Sequence, residues 1–357
     1  MKNKALIAMS GGVDSSVAAF LMTERGFTCI GATMKLYDNE DVGLKRSNTC
    51  CSLDDVEDAR QVAFRLGIPY YVFNFSDAFK AEVIGRFIDA YEHGRTPNPC
   101  IDCNRYMKFE KLYLRARELD YDYVVTGHYA RIRKDETGRY HLYRAADASK
   151  DQSYVLYSMT QEQLAHTIFP LGELTKPEVR AIAAEQGFLN AKKHDSQDIC
   201  FVMNGSYAEF IERYTGRSYP SGQFVGKDGQ VLGEHKGIIR YTIGQRKGLG
   251  IALGEPMFVT DVDPDTNTVR LGRNEELFTT VLEADQVNLI PFDRIEAPMR
   301  LEARIRYQAK PALATVTQEG DRLHIVFDEP QRAITLGQAV VLYQGDEVIG
   351  GGTIVTR

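Results

Sequence analysis

Short apolar runs alternate with amphipathic stretches along the N-terminal part of the chain, and two periodicities define its elements. Ala5 to Met9 is an unbroken apolar run of strand length, hence a short buried strand. Val13 to Arg25 follows, with Val17, Phe20 and Leu21 on one face and Gly26 as the stop, which predicts a helix. Phe27 to Leu36 reads as the next strand. Ser52-Leu-Asp-Asp55 caps a helix ending near Gly67, Pro69 to Phe75 is a strand, and Ser76 caps another helix. A helix over Lys108 to Leu119 leads into the strand Tyr123 to Thr126, and Thr175-Lys-Pro-Glu178 caps a helix that stops at Gly187. This alternation predicts an α/β fold, a doubly wound, Rossmann-like parallel sheet with helices on both faces and ligands beyond the C-terminal ends of its strands.

After about Met203 the pattern changes. Gly, Pro and Tyr become frequent, as in TGRSYPSGQFVGKDGQVLGEH, and short alternating strands such as Pro256 to Val262 and Thr268 to Leu271 replace the helical periods. Beyond them, Met299 to Tyr307, Ala312 to Gln318, Arg322 to Phe327, Ala339 to Tyr343 and Val348 to Val355 are strand-like runs separated by turn signals, which predicts a β-barrel or sandwich. The expected organisation is a catalytic domain over 1–203, a small mixed central domain over 204–275 and a C-terminal β-barrel over 276–357. No internal repeat or low-complexity segment interrupts it.

Composition narrows the class. The chain has 357 residues, 43% hydrophobic and 26% charged, enough for several folded domains. The start MKNKALIAM is too short an apolar run for a signal peptide, and no run reaches the length of a membrane span. With six cysteines and no secretory context, free thiols, metal ligands or redox chemistry are expected rather than a disulfide framework, and the cytoplasm is the expected location. The net charge of −6 argues mildly against nucleic acid. Two basic clusters soften that objection: Lys236, Arg240, Arg246 and Lys247 with no acid between them, and Arg300, Arg304, Arg306 and Lys310 against Glu302 alone.

Ser10 to Ser16, SGGVDSS, lies between the first strand and the first helix. Gly11 and Gly12 let backbone N–H groups approach phosphate oxygens, and the helix N-terminus behind them favours an anion. Asp14 repels an anion, so it is expected to hold Mg²⁺ or to orient the loop. No lysine follows the second glycine, so the turn is not a Walker A loop. A merely tight strand-to-helix connection is the bland alternative.

Cys100 and Cys103, in Thr96-Pro-Asn-Pro-Cys100-Ile-Asp-Cys103-Asn104, stand three positions apart in a proline-kinked loop expected just before a helix. A helix N-terminus favours the nucleophilic thiolate, and Arg95 and Arg105 add positive charge. Cys200, in HDSQDIC, follows Lys192, Lys193 and His194. A metal knuckle or two packed thiols is the alternative for the pair. Cys50 and Cys51 read as a loop without chemistry, or as zinc ligands with Cys100 and Cys103.

SGGVDSS resembles the PP-loop of ATP pyrophosphatases, which split ATP between its α- and β-phosphates and adenylate a carbonyl or carboxyl oxygen. RTPNPCIDCNRYMKF, GHYARI, KDQSYVL, DSQDICFV and GIIRYTIGQRKGLGI together resemble the tRNA-specific 2-thiouridylase family, with blocks spread over essentially the whole chain. The resemblance implies an ATP site lined by Ala8, Met9, Ser10, Gly11, Gly12, Val13, Asp14, Ser15, Met34 and Gly127. It implies contacts with tRNA from Asn98, Pro99, Cys100, His128, Lys150, Asp151, Gln152, Arg306, Tyr307 and Gln338. Cys200 would carry sulfur as a persulfide from a sulfur-relay protein or cysteine desulfurase, and Cys103 would be the nucleophile that frees it, leaving the two disulfide-linked after a turnover. Cys100, Cys103 and Cys200 could instead bind a [4Fe-4S] cluster. The implied reaction is ATP- and Mg²⁺-dependent 2-thiolation of the wobble uridine in tRNAs for Lys, Glu and Gln. Two rivals stand beside it: a GMP-synthetase-like adenylating ligase acting on a small molecule, and a zinc-stabilised RNA-binding module.

Overall fold

The computed structural model describes residues 3–38, 53–193, 199–202 and 206–357. They group into two compact units, one of residues 1–83, 100–204 and 346–349, the other of residues 84–99, 205–345 and 350–357. The capping box at Ser52 and the residues Cys50, Cys51 and His194 lie outside the described residues.

The first unit is built on β1 (Lys4–Ala8), β2 (Thr28–Lys35), β3 (Tyr70–Asn74), β4 (Tyr123–Val125), β5 (Ala130–Lys134), β6 (Tyr140–Arg144) and β7 (Thr167–Ile168). Five of these form a parallel sheet in the order β3-β2-β1-β4-β7. Alternation along the strands feeds two cores. Ala5 and Ile7 of β1 pack with Val17 and Met22 of α1 (Val13–Glu24), Ala59 and Val62 of α2 (Leu53–Arg65), and Val179 and Ala183 of the helix Lys176–Glu185. Leu6 points the other way, to Ile30, Val124, and Leu112 and Ala116 of the helix Leu112–Glu118. Strands covered on both faces need near-continuous apolar runs, which is why β1 reads KALIA. The doubly wound expectation is therefore met, with helices on each face.

The strand order also locates a crevice. From β1 the chain winds outward through β2 and β3, then returns to place β4 on the other side of β1. The C-terminal ends of β1 and β4 are thus the switch point where such sheets bind ligands. Ser10 to Ser16 leaves β1 there, and Gly127 and His128 leave β4. The hairpin β5–β6, which the sequence pattern did not predict, follows; Tyr143 and Leu142 of β6 pair with Glu347 and Val348.

The second unit holds β8 (Gly222–Val225), β9 (Val231–His235), β10 (Phe258–Asp263) and β11 (Thr268–Gly272), paired in the order β10-β11-β8-β9. It also holds β12 (Phe278–Leu289), β13 (Met299–Arg304), β14 (Ala312–Glu319), β15 (Arg322–Arg332), β16 (Ala339–Gln344) and residues 350–356 of β17 (Glu347–Thr356). These six run in the order β12-β15-β14-β13-β16-β17, and β12 pairs back onto β17, closing an antiparallel barrel. Closure removes exposed strand edges. Leu301, Ala303, Ala314, Val316, Leu323, Ile325 and Leu342 are buried, as alternate positions of a filled small barrel should be. The helix Arg86–Glu92 groups with this unit because Tyr91 stacks on Tyr207 at 4.5 Å and Phe87 meets Phe210 edge-on at 6.3 Å. Among the described residues no helix is long and apolar enough to cross a membrane.

Candidate active site

The phosphate loop is shaped locally and braced from afar. Gly12 is the N-cap of α1 and supplies no side chain to its first turn, so the amide donors there remain for a ligand. Gly11 has φ +72°, and a Cβ there would stand 2.4 Å from the carbonyl oxygen of Asp55; only glycine fits both demands. Ser15 and Ser16 each donate a hydroxyl to Gly12 O at 3.0 Å, and the Ser10 amide donates to Ser15 Oγ at 3.2 Å.

Four side chains from later in the chain hold this loop. Lys176 Nζ lies 2.7 and 2.9 Å from the two carboxylate oxygens of Asp14, and the Tyr129 hydroxyl donates to Asp14 Oδ1 at 2.8 Å. Lys176 is buried, and its ammonium sits 5.8 Å from the centre of the Tyr129 ring. Asn190, also buried, donates Nδ2 to Gly11 O at 3.0 Å and Ser16 Oγ at 2.9 Å, while its Oδ1 is buried without a partner. Lys193 Nζ reaches Gly11 O at 3.3 Å, Asp55 Oδ1 at 2.5 Å and Asp58 Oδ2 at 2.7 Å. Burial works against the Lys193 charge, but the two carboxylates outweigh it and raise its pKa. Lys193, which precedes Cys200 by seven positions in the sequence, is engaged by the loop and α2. Gly127 leans on the same loop: a Cβ there would be 2.8 Å from Asp14 C and 2.9 Å from Ser15 N.

Beside Gly127, His128 is 8% exposed, with Nδ1 2.6 Å from Thr126 Oγ1 and Nε2 3.4 Å from Lys108 Nζ. Burial first, and the Lys108 charge second, hold its pKa well below the usual imidazole value. Tyr129 and Gln152 exchange two bonds, Gln152 N to Tyr129 O at 2.9 Å and Tyr129 N to Gln152 Oε1 at 3.0 Å. Asp151 is buried and accepts from Ala145 N, Ser153 N and Ser153 Oγ. Lys150 is half-buried beside it.

The thiols lie within helix rather than before it, which corrects the expected loop. Helical structure begins with Pro99–Asp102, continues as a π-helix over Cys103–Lys111 and ends with Leu112–Glu118. Proline at a first helical position loses no hydrogen bond, so the kink expected from Pro99 is a start signal. Cys100 is exposed and Cys103 half-buried. Asn104, buried next to Cys103, donates to Val155 O at 3.1 Å, which ties the CNRYMKF and KDQSYVL blocks together. Cys200 is half-buried, its carbonyl accepts from the Tyr37 hydroxyl at 2.7 Å, and the following Phe201 packs against Phe79. Cys29 is buried, and burial pushes its thiol pKa up, as in an inert core cysteine. Among the described residues no group of three or more His, Cys, Asp or Glu could hold a metal ion.

In the second unit, Gln338 donates Nε2 to Thr96 O at 2.8 Å and Pro97 O at 3.2 Å, bracing the segment that runs into half-buried Asn98 and buried Pro99. Arg306 and Tyr307 are exposed on the loop after β13. The basic clusters are thinner than their sequence suggests: Arg240 is paired with Glu212 and Arg300 with Asp328, while Arg246, Lys247 and Lys310 are exposed. Sequence reasoning missed Lys176, Asn190, Tyr129 and Lys108. Tyr129 and Lys108 stood inside quoted motifs, and Lys176 within a capping box, but each acts across more than 15 positions, which no local pattern encodes.

The chain matches a family model described as the tRNA methyl transferase HUP domain over residues 3–204. A tRNA methyl transferase PRC-barrel domain matches over 208–273, and an aminomethyltransferase beta-barrel domain over 279–354. The chain is 54% identical over 356 residues to the tRNA-specific 2-thiouridylase MnmA of Clostridioides difficile, covering 99% of this chain and 98% of that protein. It is 52% identical over 354 residues to the tRNA-specific 2-thiouridylase MnmA of Clostridium botulinum, covering 99% and 98%. A solved 4-thiouridine synthetase in complex with RNA and bound ATP is 22% identical with a TM-score of 0.36, over 60% of this chain and 50% of that one.

Proposed function

The chain belongs to the tRNA-specific 2-thiouridylase family, and from that premise we propose that it adenylates the 2-oxygen of the tRNA wobble uridine and then replaces it with sulfur. The observation that carries the reading is the open N-terminus of α1 at the sheet's switch point, with Gly127 pressed onto its loop. A pyrimidine carbonyl oxygen is a very poor leaving group; joined to AMP it becomes a good one, and pyrophosphate leaves in the first step.

Ala8 to Ser15, Met34 and Gly127 line the ATP site in this reading. Asp14 orients the loop, since Lys176 occupies both of its oxygens. Magnesium bound together with the triphosphate would supply charge neutralisation. Cys200 accepts a sulfane sulfur from a cysteine desulfurase or its relay. Cys103 thiolate attacks Cys200 Sγ, and the Cys200–sulfur bond breaks to release hydrosulfide. Hydrosulfide adds at C2 of the adenylated base, AMP departs, and 2-thiouridine remains. The Cys103–Cys200 disulfide formed in that step is reopened by an external dithiol. Exposed Tyr307 with Arg306 offers an aromatic face and a cation to a splayed base or its backbone, the usual means of reading single-stranded RNA. The tRNAs for Lys, Glu and Gln are the expected substrates, and the cytoplasm the expected location.

The test is mass spectrometry of wobble nucleosides from unmodified tRNA incubated with protein, ATP, Mg²⁺, cysteine and a cysteine desulfurase. Thiolation by the parent and its loss in Cys200→Ser and Cys103→Ser are expected, with adenylate transfer retained in both. Undiminished thiolation in both variants rejects the cysteine roles. ATP turnover indifferent to tRNA points to the small-molecule ligase, and stoichiometric iron in anaerobically purified protein to the cluster.

A further inference from the structure

His128 is held in one orientation and one tautomer. Its ring lies 5.9 Å from that of Phe109 and 5.7 Å from that of Phe169, and the residue is 8% exposed. An ammonium has only donors, so the Nε2 that faces Lys108 Nζ at 3.4 Å presents its lone pair. The ring proton is therefore assigned to Nδ1, donated to Thr126 Oγ1 at 2.6 Å. Burial and the Lys108 charge keep the ring neutral, so it acts as a fixed acceptor that aims a cation.

The position of that cation is defined by two landmarks of the same unit. Gly127, next to His128, abuts the backbone of Asp14 and Ser15 in the phosphate loop. Lys108 also stands five residues after Cys103 in the π-helix Cys103–Lys111, a little over one turn further along the same side of the helix. A half-buried ammonium held by His128 Nε2 is thus linked through Gly127 to the phosphate loop and along its own helix to Cys103.

We propose that Lys108 is a catalytic cation of the adenylation step, its ammonium meeting the α-phosphate as the pyrimidine oxygen attacks, with His128 and Thr126 as positioning residues. The bond from uracil O2 to the α-phosphorus forms, the bond from that phosphorus to the bridging oxygen of the β-phosphate breaks, and pyrophosphate leaves with the electron pair. The N3 proton of the base passes to solvent, and nothing is oxidised or reduced. Negative charge gathers on the phosphoryl oxygens in this transition state, where a fixed cation in a partly dry site has its greatest effect. The proposal rests on the adenylation reading above and deepens it.

Single-turnover transfer of label from [α-³²P]ATP to unmodified tRNA tests it on the full chain. Lys108→Met is expected to slow labelling about 100-fold or more, the scale of losing one fixed transition-state donor, with tRNA affinity and thermal midpoint within error of the parent. Lys108→Arg should regain part of the rate. Thr126→Val removes the acceptor of the ring proton; labelling should slow about tenfold, and ¹⁵N shifts of His128 should report a changed tautomer population. A Lys108→Met rate within threefold of the parent overturns the proposal. So does a loss accounted for by weaker tRNA binding, which would make Lys108 a backbone contact. A parent that never labels tRNA overturns the adenylation reading and this proposal together, whereas a labelling parent with an equally active Lys108→Met overturns this proposal alone.

Discussion

The phosphate loop and the cysteine-bearing helix sit in the same unit, and both are tied to distant residues, the loop by many side chains and the helix by fewer. The loop's turn is local, yet its placement depends on Asp55, Asp58, Tyr129, Lys176, Asn190 and Lys193, drawn from 44 to 182 positions away. The cysteine helix takes its start from its own sequence at Pro99 and carries a long-range bond of its own, Asn104 Nδ2 to Val155 O, 51 positions on. The lesson is that residues recurring in motif blocks divide into groups that present themselves to a ligand and groups that hold the first in position. His128, Asp151 and Gln338, all expected to touch RNA, each also make an internal side-chain bond that fixes their position.

If bracing from afar governs the loop, removing its deepest brace should have the largest effect. Lys176→Met leaves the Asp14 carboxylate uncompensated beside the phosphate site. Breaking a buried pair costs about 3–5 kcal/mol, and Asp14, 30% exposed in its side chain, lowers that to roughly 2–3 kcal/mol. The kcat/KM for ATP should fall about 100-fold, and Asp14→Asn added to Lys176→Met should recover part of the loss. Steady-state pyrophosphate release checks both variants; a single variant within threefold of the parent would show that the loop keeps its shape unaided.

Next in size is Gly127→Ala. The new methyl would lie 2.8 Å from Asp14 C and 2.9 Å from Ser15 N, distances that force backbone to move. Overpacking of this kind costs about 1–3 kcal/mol, and it falls on the loop. The KM for ATP should rise about tenfold while the Cys200 persulfide still forms, measured by alkylation and mass spectrometry. Equal damage to both steps would contradict the separation of loop and helix.

A matched pair sharpens the same contrast. Asn190 and Asn104 are both buried amides with Nδ2 bonded and Oδ1 without a partner. Each →Ala change removes bonds worth about 1 kcal/mol apiece, offset by relief of a buried lone acceptor. Asn190→Ala should raise the KM for ATP severalfold and leave thiol reactivity alone. Asn104→Ala should do the reverse, shifting the alkylation rate of Cys103 with ATP binding unchanged.

Strand-level architecture was legible because alternation and turn residues are local. Ala312 to Gln318 reads as a strand and Ala312–Glu319 is found; β1 to β4 of the parallel sheet match their expected runs to within one residue at each end, whereas β7 and the barrel strand β12 have no counterpart in the sequence reading. The hairpin β5–β6 escaped because ARIRK and YHLYR are rich in charge, and two of those charges, Arg131 and His141, are largely covered and face carboxylates of Asp346 and Glu347. The thiols were placed in a loop because two prolines near them read as breakers, when Pro99 occupies the one helical position that tolerates it. The braces were illegible for a different reason. A lysine that neutralises an aspartate 162 positions earlier looks, in sequence, like any lysine in a capped helix.

The hairpin carries the smallest predicted effect and a third style of brace, made of charge that titrates. His141 lies 2.5 Å from Glu347 through Nδ1 and 3.1 Å from Asp135 through Nε2. Burial opposes its charge, but the two carboxylates prevail and raise its pKa, while Thr137 and His141 hold the Asp135 carboxyl well below the usual range. A histidine whose pKa is raised on folding contributes stability that is complete below its unfolded value, near 6.5, and fades as pH climbs through the folded value. The thermal midpoint of the parent should therefore exceed that of His141→Gln most at about pH 6, and the gap should close at alkaline pH. With the carboxylates part-exposed the gap is small, at most about 1 kcal/mol. Because this clamp acts on the hairpin and not on the phosphate loop, the KM for ATP in His141→Gln should track the parent across the same pH range. A KM that rose with the loss of the clamp would mean that the loop is braced from the hairpin too.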